Sequence, residues 1–207
     1  MRALAALALV LAAPAAAQTA PAPAAPSTPL PPAATPASIV SVALQTSAGR
    51  IVVALDPSRA PITVANFLRY VDGKRFDGTA FYRAMTLPND AGLVQFGTRN
   101  DPRKTLPPIA FEPTTRTGLS HSDGTLSMAM DRPGNASGDV FIAVGDLSSL
   151  DAKGSEPGFA AFGRVTEGMD VVKAILAAPT SPTAGVGAMK GQMLAPTIVI
   201  RSARRIK

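Results

Sequence analysis

Apolar and polar positions divide the chain into three stretches of different character. An unbroken apolar run from Ala3 to Ala13 follows Met1-Arg2 and gives way to Pro14 and Ala15-Ala16-Ala17. A charged start, a short apolar centre and small residues before Gln18 predict a secretory signal peptide over 1–17, cleaved after Ala17. A membrane-spanning helix needs about 20 apolar residues, and Pro14 interrupts this run earlier. From Gln18 to Ala37 the chain is almost entirely Ala and Pro with a few Ser and Thr. That composition keeps the backbone extended and buries no core, so 18–37 reads as a disordered linker. The remaining stretch, 38–207, carries the folded domain.

Its pattern changes abruptly at Ile39. Ile39, Val40, Val42 and Leu44, then Ser47-Ala48-Gly49, then Ile51 to Leu55 place two β-branched runs around a glycine-bearing turn, which predicts a β-hairpin. Asp56, Pro57 and Pro61 precede Val64, Phe67, Leu68 and Val71 at helical spacing up to Gly73, the pattern of a helix started by proline and stopped by glycine. Short apolar runs follow around Phe81, at Leu93 to Phe96, Thr125 to Met130, Val140 to Val144 and Phe159 to Val165, separated by Gly, Pro, Asn and Asp. These predict short strands of an all-β sandwich or barrel. Glu167 to Leu176 reads as a second helix, Pro179 to Gly191 as a long loop, and Pro196 to Ile200 as a closing strand.

Composition narrows the chemistry. The chain has 207 residues, 46% of them hydrophobic, enough for one domain with a proper core. It contains no cysteine and one histidine, His121, so thiolate chemistry, disulfides and multi-histidine metal sites are excluded. The net charge of +6 raises the question of nucleic acid, but Arg and Lys are scattered except for Arg201, Arg204, Arg205 and Lys207, which read as a solvated C-terminal tail. Ser120-His121-Ser122-Asp123 holds the residue types of a hydrolase triad, yet triad members converge from separate elements and are rarely neighbours in sequence. Gly185-Val186-Gly187 with Lys190-Gly191 matches neither nucleotide-binding pattern and reads as a loop. Two polar residues in apolar strands remain: Arg83 after Phe81-Tyr82, and Gln95 within Leu93-Val94-Gln95-Phe96.

Taken in order, these segments resemble the cyclophilin family over nearly all of Ile39 to Lys207. Asp77-Gly78-Thr79-Ala80-Phe81-Tyr82-Arg83 is similar to the family's D-G-T-x-F-H-R signature, Leu93-Val94-Gln95-Phe96-Gly97 to M-x-Q-G-G, and Gly124-Thr125-Leu126-Ser127-Met128-Ala129 to G-x-L-S-M-A. Phe141-Ile142 resembles the end of Q-F-F-I, Pro61 to Leu68 the first helix, and Phe159 to Val165 with Glu167 to Val172 the final strand and helix. Six such matches in register carry the resemblance, and the short, helix-poor character with the strand at Leu126 and Ala129 suggests the single-domain bacterial exported branch.

The resemblance implies a mainly β fold, a closed eight-stranded antiparallel barrel capped by two helices, with a prolyl pocket on its outer face. It implies a peptidyl-prolyl cis-trans isomerase that uses no cofactor and no metal and acts on proline-containing polypeptides. Arg83 is then the catalytic arginine and Gln95 the residue that orients the substrate carbonyl; Tyr82, Leu93, Ala129, Met130, Phe141, Leu150 and Phe159 bind the substrate. With the leader, it implies an exported, periplasmic monomer assisting protein folding, without nucleic acid or stable membrane insertion after cleavage. The alternative is a cyclophilin-like binding module or chaperone with weakened catalysis. The chain departs from the family at Tyr82 for histidine, Gly92 for phenylalanine, Asp139 for glutamine, Gly134 for asparagine and Ser149 for tryptophan or phenylalanine, and carries a longer loop over Met85 to Gly92. Loss of the aromatic residue at Ser149 predicts weak binding of cyclosporin-type macrocycles.

Overall fold

The computed structural model describes residues 38–207; the expected leader over 1–17 and linker over 18–37 lie outside them. Strands β1 (Val40–Thr46) and β2 (Arg50–Leu55) form the expected hairpin. In its turn the Thr46 hydroxyl oxygen accepts from the N–H groups of Ala48 and Gly49. Helix α1 (Pro61–Asp72) starts at its proline and buries Val64, Phe67, Leu68 and Val71, the face marked by the spacing. The chain continues through β3 (Thr79–Thr86), β4 (Gly92–Gly97), the one-turn α2 (Thr114–Thr117), β5 (Thr125–Met128) and β6 (Asp139–Val144). It ends with β7 (Ala160–Glu167), α3 (Met169–Leu176), β8 (Thr180–Ser181) and β9 (Met193–Ile206).

All pairings are antiparallel, in the order β1-β2-β7-β5-β6-β4-β3-β9. β9 returns to pair with β1, so eight strands close on themselves and only the two-residue β8 hangs on β9 outside the ring. Closure requires tilt and stagger, and the registers shift at Gln45/Thr46, Val52/Val53, Phe81/Arg83 and Leu126/Ser127. Val42, Leu44, Val53, Val94, Leu126, Ile142 and Phe162 fill the interior. α3 covers the mouth that carries the β1–β2 turn, its Val171 against Gly49 and Leu176 against Gly92. α1 covers the opposite mouth, where Phe67 packs on Phe76 and Phe162 and Tyr70 lies against Gly138.

The C-terminal segment corrects two expectations. The closing strand runs from Met193 to Ile206, far beyond Pro196 to Ile200, because it must serve β8, β3 and β1 in turn. The basic cluster is accordingly no solvated tail: Arg204 pairs with Asp77 at 2.6 Å and Arg205 with Asp72 at 2.5 Å, tying the last strand to the segment before β3 and to the end of α1. The loop expected over Pro179 to Gly191 contains β8 and a single 3-10 turn at Gly187–Met189. The strand expected to reach Met130 stops at Met128, and the last helix starts at Met169 because β7 holds Glu167.

Candidate functional site

The register shift in β3 creates the site. Phe81 lies opposite Phe96 and Arg83 opposite Gln95, so Tyr82 is an extra residue against β4. Strict alternation would send Phe81 and Arg83 to the same face. With the bulge, Phe81 and Ala84 point into the core while Arg83 shares the outer face with Gln95, an example of a bulge re-aiming a side chain.

Outside the barrel a second apolar cluster forms on this face. Leu93, Phe141, Ala143 and Leu147 are buried together, with Met85, Ala129, Leu150 and Phe159 packed against them. Of these, Met85, Leu93, Ala129, Phe141, Leu150 and Phe159 line a groove of about 600 Å³ that also holds Tyr82, Arg83, Gln95, Met130, Asp139, Met189 and Met193. Every site residue expected from the sequence is therefore brought to one groove. Gly92 and Ser149 do not line it: Gly92 lies in the β4 ladder opposite Thr86 and Val144, and Ser149 is exposed on the 3-10 turn Ser148–Leu150. A depression of similar volume between Thr86 and Ala91, Gly145 and α3 carries Asp90, Asp123 and Lys173 and has no aromatic wall. An apolar ring finds its partner surface in the first groove.

Arg83 is partly buried beside this floor. Its Nε donates to Gln192 Oε1 at 2.8 Å and its Nη1 to Gln95 Oε1 at 3.0 Å. Its Nη2 meets only the Met85 sulfur at 3.7 Å, a weak acceptor. Among the described residues, guanidinium protons thus remain available at the groove. Burial pulls the Arg83 pKa down, opposed by the Tyr82 phenol, but arginine stays charged in proteins. Gln192, in the loop before β9, was not anticipated: its position 109 residues from Arg83 gives no local signal. Behind Arg83, Gln95 Nε2 donates to the Tyr82 hydroxyl at 2.6 Å, which donates to Asp139 Oδ1 at 3.1 Å.

The floor has its own support. The His121 ring stacks on Phe141 with centroids 5.7 Å apart, and Phe159 meets Phe141 edge-on at 5.5 Å. His121 Nδ1 bonds Asp151 Oδ1 at 2.5 Å and Nε2 bonds Ser127 Oγ at 2.9 Å. A carboxylate only accepts, so Nδ1 carries the proton and Ser127 donates to Nε2. This Asp-His-Ser order has the connectivity of a hydrolase triad; the run at Ser120 supplies only His121, and Asp151 and Ser127 come from separate elements. Ser127 and His121 are both 0% exposed, so no substrate reaches the hydroxyl and the chain is a brace. Burial lowers the His121 pKa against the pull of Asp151. Gly158 lets the braced segment close up, since a Cβ there would meet Leu150 O at 2.6 Å. No cluster of acidic or histidine side chains able to hold a metal occurs among the described residues.

Comparison with known proteins agrees with this geometry. A family model described as cyclophilin type peptidyl-prolyl cis-trans isomerase/CLD matches residues 41–204. The chain is 39% identical over 172 residues to peptidyl-prolyl cis-trans isomerase cyp18 of Streptomyces antibioticus, covering 79% of this chain and 97% of the relative. It is 37% identical over 170 residues to peptidyl-prolyl cis-trans isomerase A of Dickeya dadantii, covering 80% and 84%. Among solved structures, a cyclophilin type peptidyl-prolyl cis-trans isomerase of Cryptosporidium parvum superposes with a TM-score of 0.66 at 18% identity, covering 82% of this chain and 99% of that one. The same protein has been solved in the presence of the dipeptide Ala-Pro.

Proposed function

The chain belongs to the cyclophilin-type peptidyl-prolyl cis-trans isomerases, and from that premise we propose that it isomerises X-Pro bonds in exported proteins through Arg83. The observation that carries the reading is a guanidinium held by Gln95 and Gln192 over the apolar floor of Phe141, Leu93 and Phe159. Rotation about a peptide bond must break amide resonance, a barrier of about 18 to 20 kcal/mol, and an unaided X-Pro bond takes tens to hundreds of seconds. No covalent intermediate is required. As the bond twists, the proline nitrogen regains a lone pair and becomes an acceptor that the planar amide is not. A fixed donor at that nitrogen stabilises the twisted state more than the ground state, the condition for acceleration. The proline ring rests on the floor while the preceding residue turns.

The roles of the other residues follow. Gln95 holds the fork and faces the substrate carbonyl, while Tyr82, Leu93, Ala129, Met130, Phe141, Leu150 and Phe159 bind the chain around the proline. Met85, Met130, Met189 and Met193 also line the groove, and flexible thioethers suit varied neighbours of the proline. The leader-like start supports export to a periplasm-like compartment. The enzyme acts as a monomer.

One observation favours a second reading, a binding module with weak catalysis: the groove is lined by Asp139, which stands where the family has glutamine. An isomerase assay on a proline peptide, with residues 38–207 and the Arg83→Ala variant, separates the two. Turnover that depends on Arg83 supports the enzyme; peptide binding with turnover no faster than the uncatalysed rate supports the module.

A further inference from the structure

Four side chains form one hydrogen-bond chain along the groove: Arg83 Nη1 to Gln95 Oε1 at 3.0 Å, Gln95 Nε2 to the Tyr82 hydroxyl at 2.6 Å, and that hydroxyl to Asp139 Oδ1 at 3.1 Å. Its two ends each have a single role. A guanidinium can only donate and a carboxylate can only accept. The two middle groups have no such restriction of their own: an amide carries a donor end and an acceptor end, and a hydroxyl both donates and accepts. Gln95 and Tyr82 are 8% and 6% exposed, so water does not correct a wrong orientation cheaply.

We propose that Asp139 is a positioning residue for the isomerase reaction, which through Tyr82 makes Gln95 present its amide oxygen to Arg83 and so holds the guanidinium at the groove. The inference rests on the reading of Arg83 given above. With Asp139 as a carboxylate, the Tyr82 proton is committed to Oδ1. The phenolic oxygen then accepts from Gln95 Nε2, and Oε1 is left facing Arg83. Tyr82 and Asp139 are two positions at which the chain departs from the family signature, and the departures touch each other. The surroundings are shaped for this carboxylate: the Arg99 N–H donates to the same Oδ1 at 3.0 Å, and a Cβ on Gly97 would approach Oδ1 to 2.5 Å.

The groups that face Asp139 are few. The Arg99 guanidinium lies over the Tyr82 ring, 5.1 Å from its centre, and the backbone of Arg99 and Asn100 faces the carboxylate. Tyr70 of α1 lies behind neighbouring Gly138, and Arg83 stands at the far end of the chain. Burial pushes the Asp139 pKa up, against the Arg99 N–H, the Tyr82 hydroxyl and the Arg99 charge. Protonation removes the charge from the terminal acceptor, and a hydrogen bond to a neutral acceptor is roughly half as strong. The chain therefore loosens as pH falls through a range above that of an ordinary aspartate.

The test compares wild type, Tyr82→Phe, Asp139→Leu and Asp139→Asn in an uncoupled isomerase assay across acidic to neutral pH. Tyr82→Phe and Asp139→Leu lower kcat by about tenfold, with KM within about twofold. Asp139→Asn recovers most of the rate, because the Arg99 N–H keeps its Oδ1 turned inward, and it loses the acid limb seen in wild type. As a readout independent of turnover, the Gln95 side-chain amide resonances in the full mature chain titrate on an acidic limb in wild type and stay constant in Asp139→Asn. The proposal is overturned if Asp139→Leu keeps the wild-type kcat and pH profile, or if the Gln95 resonances ignore both substitutions. An inert wild type, or an Arg83→Ala variant with normal turnover, sinks the reading of Arg83 instead, and the resonances still decide what Asp139 does to Gln95.

Discussion

Arg83 is the residue at which chemistry demands a specific group in a specific place. Its fork engages Gln95 and Gln192 at once, through Nη1 and Nε. A charge-assisted hydrogen bond of ~3 kcal/mol in a dry groove corresponds to a rate factor on the order of a hundred. Arg83→Ala therefore lowers kcat/KM by about a hundredfold with the fold intact. Arg83→Lys recovers little, since a point charge cannot hold both glutamines. Near-normal turnover in the alanine variant removes Arg83 from the mechanism. His121 acts on stability instead. Its folded-state pKa is depressed by burial, so below about pH 6.5 the unfolded chain binds a proton that the folded chain refuses. Stability from this histidine is complete above that pH and is lost as pH falls toward the folded pKa, by at most ~1.4 kcal/mol per pH unit. Asp139, with its raised pKa, contributes with the opposite sign. Chemical denaturation of wild type and His121→Gln at several pH values isolates the histidine as the difference between the two curves. Parallel curves would show that His121 is not held neutral.

Between residue and barrel stand the elements, and α1 shows how one depends on a distant side chain. The helix has Pro61 at its start and no side-chain cap of its own. Glu112, fully buried, accepts from the N–H groups of Ile62 and Thr63 and from the Thr63 hydroxyl at 2.7 to 3.2 Å. Removing it leaves buried donors at a helix start without partners, which costs ~3 kcal/mol. In a domain of this size Glu112→Ala lowers Tm by roughly 5–10 °C. An unchanged Tm would mean that water replaces the carboxylate. The proline, the apolar face and the stop at Gly73 were legible because they follow a 3.6-residue period. The cap was not, because Glu112 lies 50 residues away from Ile62 in the chain. The bulge at Tyr82 was equally hidden: the run Phe81-Tyr82-Arg83 alternates no differently from an unbulged strand, and only pairing with β4 shows the extra residue.

For the whole molecule, the decisive contact is between its ends. β9 pairs with β1 from Ser41 to Thr46, and the pairs Arg204–Asp77 and Arg205–Asp72 flank that seam. Arg204 holds the Asp77 carboxyl below its ordinary range. The barrel begins at Val40, immediately after the expected linker. The Ala/Pro composition of 18–37 predicts that this stretch is dispensable for the barrel. Mass spectrometry of exported material is expected to place the mature start near Gln18, and deleting 18–37 to leave Tm unchanged. An intact Met1 on exported protein argues against cleavage, and a loss of several degrees on deletion shows that the linker packs on the barrel.

By itself, the sequence determined what short-range physics and ordered motifs can carry. Alternating apolar runs marked the hairpin and β3 to β7, helical spacing marked α1 and α3, and the run from Asp77 to Arg83 with Leu93 to Gly97 identified the arginine and glutamine that face each other across β3 and β4. Tertiary structure alone decided how distant residues combine. Gln192 reaches Arg83, Tyr82 joins Gln95 to Asp139, Asp151 and Ser127 brace His121 beneath Phe141, and the basic C-terminal end becomes a barrel strand. Each of these depends on strand order, register and a bulge, which are set by closing the whole sheet. A local pattern records which way a side chain alternates, but not what it meets when the two ends of the barrel join.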